Sequence, residues 1–166
     1  MKRIGGALLL LLAGCSGGDR SASKAGQPED LEKAAIERGL VRDPKDTEIA
    51  GLYARDTDRI CIVPDRQLGH RIGAFVDYGD GITCSGAGTV SQVGEALHVE
   101  FAGAQCAFDA RFDGDKIRFP GALPEGCDKL CTRRASFAGL EVARLSESAA
   151  EAAAMRDASG RRPCGD

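Results

Sequence analysis

The sequence predicts a mainly β fold, a small antiparallel meander closing into a barrel, with short helices at both ends and disulfides as staples. Three observations carry this prediction. From Glu48 onward apolar residues recur at every second position, in short runs separated by Gly-Asp turn signals. The composition holds 22 Gly, two His and no Trp, a turn-rich balance. Cys61, Cys84, Cys106, Cys127, Cys131 and Cys164 form an even set, which in an exported chain reads as a disulfide framework.

Export is predicted by the first residues. Lys2 and Arg3 precede an apolar run from Ile4 to Ala13, interrupted by Gly5 and Gly6, and then Gly14-Cys15. A charged start and about ten apolar residues make a secretory signal, too short to span a bilayer. Leu12-Ala13-Gly14-Cys15 resembles the lipobox of bacterial lipoproteins. The resemblance implies cleavage before Cys15, which would then carry a thioether diacylglycerol and an amide-linked acyl chain such as palmitate. Ser16 stands where an aspartate would imply inner-membrane retention, so the resemblance implies the outer membrane, facing the periplasm.

The expected organisation is therefore a signal peptide over 1–14, a tether over 15–27 and one β domain over 28–166. Removing the signal takes the formal charge from −3 to −5, since Lys2 and Arg3 are lost. Such a surface gives no electrostatic reason to bind nucleic acid or anionic headgroups. The membrane partner is then reached through the N-terminal lipid alone.

The elements follow in order. Ser16–Gln27 has no apolar periodicity and suits a flexible tether. Pro28–Arg38 reads as a short helix, with Pro28 at its first position, Glu29 and Asp30 at the positive end and Gly39 as its stop. Its apolar stripe (Leu31, Ala34, Ala35) is thin, and Asp43-Pro44 with Asp46 marks a turn. Ile49–Ala54 and Arg59–Val63 are candidate strands. His70–Tyr78 follows, placing Ile72, Ala74, Val76 and Tyr78 on one face, and Gly79-Asp80-Gly81 makes a hairpin turn.

Ile82–Gln92 puts Cys84, Gly86, Gly88 and Val90 on one face, with Thr83, Ser85 and Thr89 on the other. After Gly94, Leu97, Val99 and Phe101 face in and His98 and Glu100 face out. Cys106, Phe108, Ala110 and Phe112 form the next inward row, with Asp109 and Arg111 outside. Asp113-Gly114 turns into Ile117 and Phe119. Such alternation implies one wet face, and closure removes exposed edges. Pro120–Arg133 reads as a disulfide-tied loop with one helical turn near Asp128–Thr132. Arg134–Leu145 resumes strand alternation with a bulge expected at Gly139. Ser148 and Glu151 form a capping box for a helix over Ala149–Ala158, closed by Gly160 and holding little core.

Little in the chain points to catalysis, and no cofactor is implied. His98 is expected on the outer face and His70 among charges, so neither is paired with a nucleophile. Cys84-Ser85-Gly86-Ala87-Gly88 lacks the nucleophile-elbow and dinucleotide spacings. Gly86 and Gly88 instead suggest room for a large side chain across the barrel, or a small ligand cavity. Asp77, Asp80, Asp109 and Asp113 fall in turns or on solvated faces, and Arg133-Arg134 reads as a surface pair. Cys127-x-x-x-Cys131, without a second close pair or nearby His, is not a zinc knuckle, so no metal is expected.

Gly51-x-Tyr53 resembles the Gly-x-Trp start of calycin barrels, and together with Cys61 and Cys84 is similar to the Inh family of bacterial metalloprotease inhibitors. The likeness covers Gly51–Phe101. It departs in having Tyr for Trp, four further cysteines and a longer chain. Ser85-Gly86 is all that is shared with the membrane-bound inhibitors of C-type lysozyme. The Inh resemblance implies inhibitory function through an N-terminal segment within Ser16–Asp46, and a Cys61–Cys84 bridge. The residues themselves favour another pair: a hairpin centred on Gly94 sets Cys84 nearly opposite Cys106 on the inward face. Cys127 and Cys131 are then left to Cys61 and Cys164, in an open order. Two functions fit: a non-catalytic binding module, such as an inhibitor of an envelope hydrolase, or a structural subunit of an envelope protein complex. An open apolar barrel mouth would favour a ligand, and a filled barrel a protein partner.

Overall fold

The protein is described by a computed structural model covering residues 28–41, 43, 47–67, 69–132 and 134–165. Cys15, the tether and Arg133 lie outside the described residues, as does most of the expected turn at 43–46. The chain forms two units, Met1–Asp43 and Pro44–Asp166. The first contributes α1 (Pro28–Glu37). Its stop is as expected: Gly39 takes φ 66°, its N–H donates to Ile36 O at 2.9 Å, and Leu40 N–H reaches Ala35 O at 2.9 Å.

The second unit is a closed antiparallel barrel of eight strands in sequence order. These are β1 (Gly51–Arg55), β2 (Asp58–Asp65), β3 (Gly69–Asp77), β4 (Thr83–Val93), β5 (Ala96–Phe101), β6 (Cys106–Phe112), β7 (Lys116–Arg118) and β8 (Glu141–Ser146). Every second residue is the cause of the shape. β5 and β6 bury alternate positions throughout, with Leu97, Val99 and Phe101, then Cys106, Phe108, Ala110 and Phe112, turned inward. Gly79, Asp80 and Gly81 all take positive φ (82°, 51° and 72°) and turn β3 into β4, as Gly94 does for β4 and β5.

One cation bridges the closing seam. Arg144 of β8 donates to Ala50 O at 2.9 Å, Glu48 O at 2.7 Å and Gly114 O at 3.2 Å. Its guanidinium lies 4.7 Å from the Tyr53 ring centroid and 5.5 Å from that of Phe112. Gly51 beside it sits at φ 146°, where a Cβ would strike Ser146 O. At the other end Phe101, Phe108, Phe119 and Phe137 interlock with centroids 4.7 to 6.4 Å apart.

Several expectations need correction. Tyr78 is 59% exposed rather than inward, because β3 ends at Asp77 and Tyr78 N–H already closes the turn onto Ile82 O. Residues 134–140 are not strand, and Gly139 (φ 71°) is a turn residue ahead of β8, not a bulge. The register shift lies between Leu52 and Tyr53 against β8. The loop helix is a 3₁₀ turn at Glu125–Leu130, three residues earlier than expected at its start. The C-terminal helix α2 (Ala149–Ala154) receives the Ser148 cap at Glu151 N–H, 3.2 Å, but ends well short of Ala158.

The wet-face expectation fails over β2 and β3. Cys61, Val63 and Phe75 point outward, yet are buried beneath Ala152, Met155 and Cys164 as a second core. The run Ile60-Cys61-Ile62-Val63 is apolar on both faces for this reason. Residues 149–165 thus form a strap over the barrel wall. It lies so close that a Cβ on Gly73 would collide with Pro163 and Cys61 Sγ.

Candidate functional site

All six candidate cysteines of the framework are paired: Cys61–Cys164, Cys84–Cys131 and Cys106–Cys127. Neither the favoured Cys84–Cys106 pair nor the implied Cys61–Cys84 pair exists. The reason is the shortness of β5. The chain turns at 102–105, so Cys106 opens a third strand rather than continuing the second. β4 runs past the end of β5, and its uncovered edge is taken by the loop. Cys131 forms a bridge opposite Cys84, and Thr132 N–H donates to Thr83 O at 2.8 Å. Cys127, on the 3₁₀ turn, meets Cys106 at the start of β6. Two of the bridges therefore fasten the 119–140 loop over one end of the barrel, and the third fastens the strap.

The interior offers no room at the glycines. A Cβ on Gly86 would stand 3.0 Å from Phe101 Cδ1, so this glycine accommodates the ring. Gly88 allows β4 to approach the Glu100 carbonyl. Of the two readings of these glycines, space for a side chain holds at Gly86.

A polar, enclosed cluster lies where the strap meets β4. Asp157, whose side chain is 2% exposed, accepts hydrogen bonds from Ser85 Oγ (2.7 Å), Ser159 Oγ (2.7 Å) and the N–H groups of Ser159 and Arg161 (both 3.0 Å). The Arg161 guanidinium adds contacts at 3.0 and 2.9 Å. Burial alone would raise this carboxyl. The bonds from Ser159 and Ser85, the Arg161 N–H and the Arg161 charge outweigh it and hold the pKa at about 2. A carboxylate so acidic and so fully engaged is a poor base, and Ser85 gives it a hydrogen bond rather than gaining activation. Shallow clefts of about 240 and 190 Å³ flank this cluster. By accepting the N–H groups of Ser159 and Arg161, Asp157 also closes the turn that follows the helix. Asp157-x-Ser159-Gly160 carries the composition of such a turn, a signal visible in the sequence.

Of the remaining candidates, His98 and Asp109 are register partners across β5 and β6, and Ser91 of β4, which the sequence did not single out, stands opposite His98. His98 Nδ1 lies 2.8 Å from Asp109 Oδ1. The order matches an acyl-transfer triad, but the imidazole and carboxylate are 58% and 73% exposed on a convex sheet whose N–H groups serve the ladder. Such a row has neither an oxyanion pocket nor shelter from water. His70 lies 3.6 Å from Glu48. Asp77 and Asp113 accept backbone N–H groups in their own turns, at 2.8 Å from Gly79 and Lys116 respectively. Arg134 is exposed. Among the described residues no group of three or more His, Cys, Asp or Glu is placed to hold a metal ion, and no helix is long and apolar enough to cross a membrane. Comparison with known protein families, with curated proteins and with solved structures finds no match.

Proposed function

We propose that this chain is a lipid-anchored protein of the bacterial cell envelope whose barrel is a non-catalytic binding module, an inhibitor of an envelope or foreign hydrolase. Cys15 carries the anchor, and the outer membrane, on its periplasmic side, is the expected location. The observation that carries the reading is the pairing of every cysteine in the barrel unit, which suits an oxidising compartment beyond the cytoplasm. The aromatic filling of the interior supports a macromolecular partner over an enclosed small ligand.

The second reading, an interaction subunit of an envelope complex, is favoured by the strap and bridges, which make the barrel a rigid scaffold. The deciding experiment has two parts. Intact-mass analysis of protein from membranes should find Cys15 as the N-terminus with its acyl groups; an unmodified Cys15 ends the anchor reading. Titration of the purified protein against a panel of peptidases and muramidases should inhibit one class. Uniform failure, with a stable protein complex recovered by crosslinking, selects the scaffold reading.

A further inference from the structure

The strap and the 119–140 loop are both fastened by disulfides, yet they join the barrel in different ways. The loop belongs to the wall. Thr132 N–H donates to Thr83 O at 2.8 Å, and Phe119 and Phe137 sit in the inner core. The strap shares neither feature. Among the described residues, its backbone hydrogen bonds stay within the strap and its cap: Ala152 N–H to Ser148 O, Met155 N–H to Ala152 O, Asp157 N–H to Arg161 O, Gly160 N–H to Asp157 O. The inner core likewise ends its roll of residues at Val142 and includes none from 149–165.

The strap is held from outside by three ties. Ala152, Met155 and Cys164 cover Cys61, Val63 and Phe75. Ser85 Oγ of β4 donates to Asp157 at 2.7 Å. The third tie is the Cys61–Cys164 bridge, which spans 103 positions. Alanine removes little apolar surface from water, so Met155 is the one sizeable side chain that the strap itself brings to this contact. The bridge keeps the strap at a high effective concentration beside a wall it would otherwise reach only across a long flexible span. Lifting such a segment breaks no strand pairing, which makes it a unit that opens apart from the barrel.

We infer that the strap is a latch: two-electron reduction of Cys61–Cys164 lets residues 149–165 lift from β2 and β3 while the barrel stays closed. Both cysteines are buried, so a dithiol reaches them through partial lifting of the strap. Its thiolate attacks one sulfur and releases the other, forming a mixed disulfide. Its second thiol then displaces the protein sulfur. The dithiol ends as a disulfide, and its two electrons and two protons are left on Cys61 and Cys164 as thiols. The lifted state presents Val63 and Phe75, with Leu52 beside them.

The test compares the full-length protein with its Cys61→Ala/Cys164→Ala variant, the other two bridges being confirmed by peptide mapping. Amides of Ala152, Met155 and Asp157 should exchange hydrogen at least about a hundredfold faster in the variant, while those of β5 and β6 change by less than about threefold. Met155 gives an independent reading, since peroxide should oxidise its thioether at least about tenfold faster once the strap lifts. In wild type given dithiothreitol, that rate should rise in step with alkylation of Cys61 and Cys164. A rise that follows alkylation of Cys131 instead overturns the inference. So does strap exchange that is unchanged in the variant, or strap and barrel amides accelerated together. A variant that does not fold overturns it too, because the barrel would then depend on the bridge.

Discussion

The guanidinium of Arg144 stacks 4.7 Å above the ring of Tyr53, the two residues facing each other across the β1–β8 seam that closes the barrel. Arg144→Ala would remove the stack and orphan three carbonyls together. A loss of about 3 kcal/mol is expected in denaturant unfolding of the oxidised protein. Arg144→Lys should recover little, since an ammonium cannot reproduce the planar fork. A change below about 0.5 kcal/mol would show that the seam closes without it.

Asp157 sets an acid limb of stability. Its pKa is lowered from 3.8 unfolded to about 2 folded, so its contribution is complete above the unfolded value. That contribution, about 2 kcal/mol, is lost as pH falls from about 4 toward 2. Asp157→Asn should melt lower than wild type at pH 7, and the gap should narrow across that acid window. A gap constant down to pH 2 would mean that the carboxylate charge is not what holds the strap.

The bridges predict a peptide map. Non-reducing digestion should join the fragments holding Cys61 and Cys164, Cys84 and Cys131, and Cys106 and Cys127. Loops of this size each contribute about 3 to 5 kcal/mol through the unfolded state, so full reduction should unfold the barrel. A reduced protein that keeps a cooperative melt would refute this.

Gly88 and Gly86 should respond differently. Gly88→Ala drives a Cβ into the Glu100 carbonyl, a backbone atom that cannot step aside. The variant should lose about 3 kcal/mol or fail to fold. Gly86→Ala meets the Phe101 ring at 3.0 Å and needs only a shift of that side chain, so a smaller loss is expected. Equal melting temperatures for the two variants would contradict this reading of β4.

Much of the barrel was legible because alternation is local. The inward rows of β5 and β6 could be read residue by residue, and the glycine turns marked where the chain reverses. What failed depended on distant partners. Cys84 and Cys106 looked opposite only if the chain between them made one hairpin, whereas six residues in β5 leave room for a second turn. Cys131, the true neighbour of Cys84, is 47 positions away. Arg144 sits in a strand as one more polar residue, and nothing local distinguishes it from a solvent-facing arginine. α2 looked weakly held because its apolar surface is mostly alanine. Its partners are the outward Cys61, Val63 and Phe75, whose burial required knowing that the strap returns over β2 and β3. The stretch Pro120–Arg133 was legible as a disulfide-tied loop, but its place over one end of the barrel was not.

The strap makes one wall of the barrel depend on a segment far from it in sequence. Cys164 pairs with Cys61 of the second strand, 103 positions earlier. Without residues 149–165 the Cys61 thiol would be unpaired and the side chains of Val63 and Phe75, now beneath Ala152 and Met155, would face water. The outer face of β2 and β3 is therefore interior only while the strap lies on it.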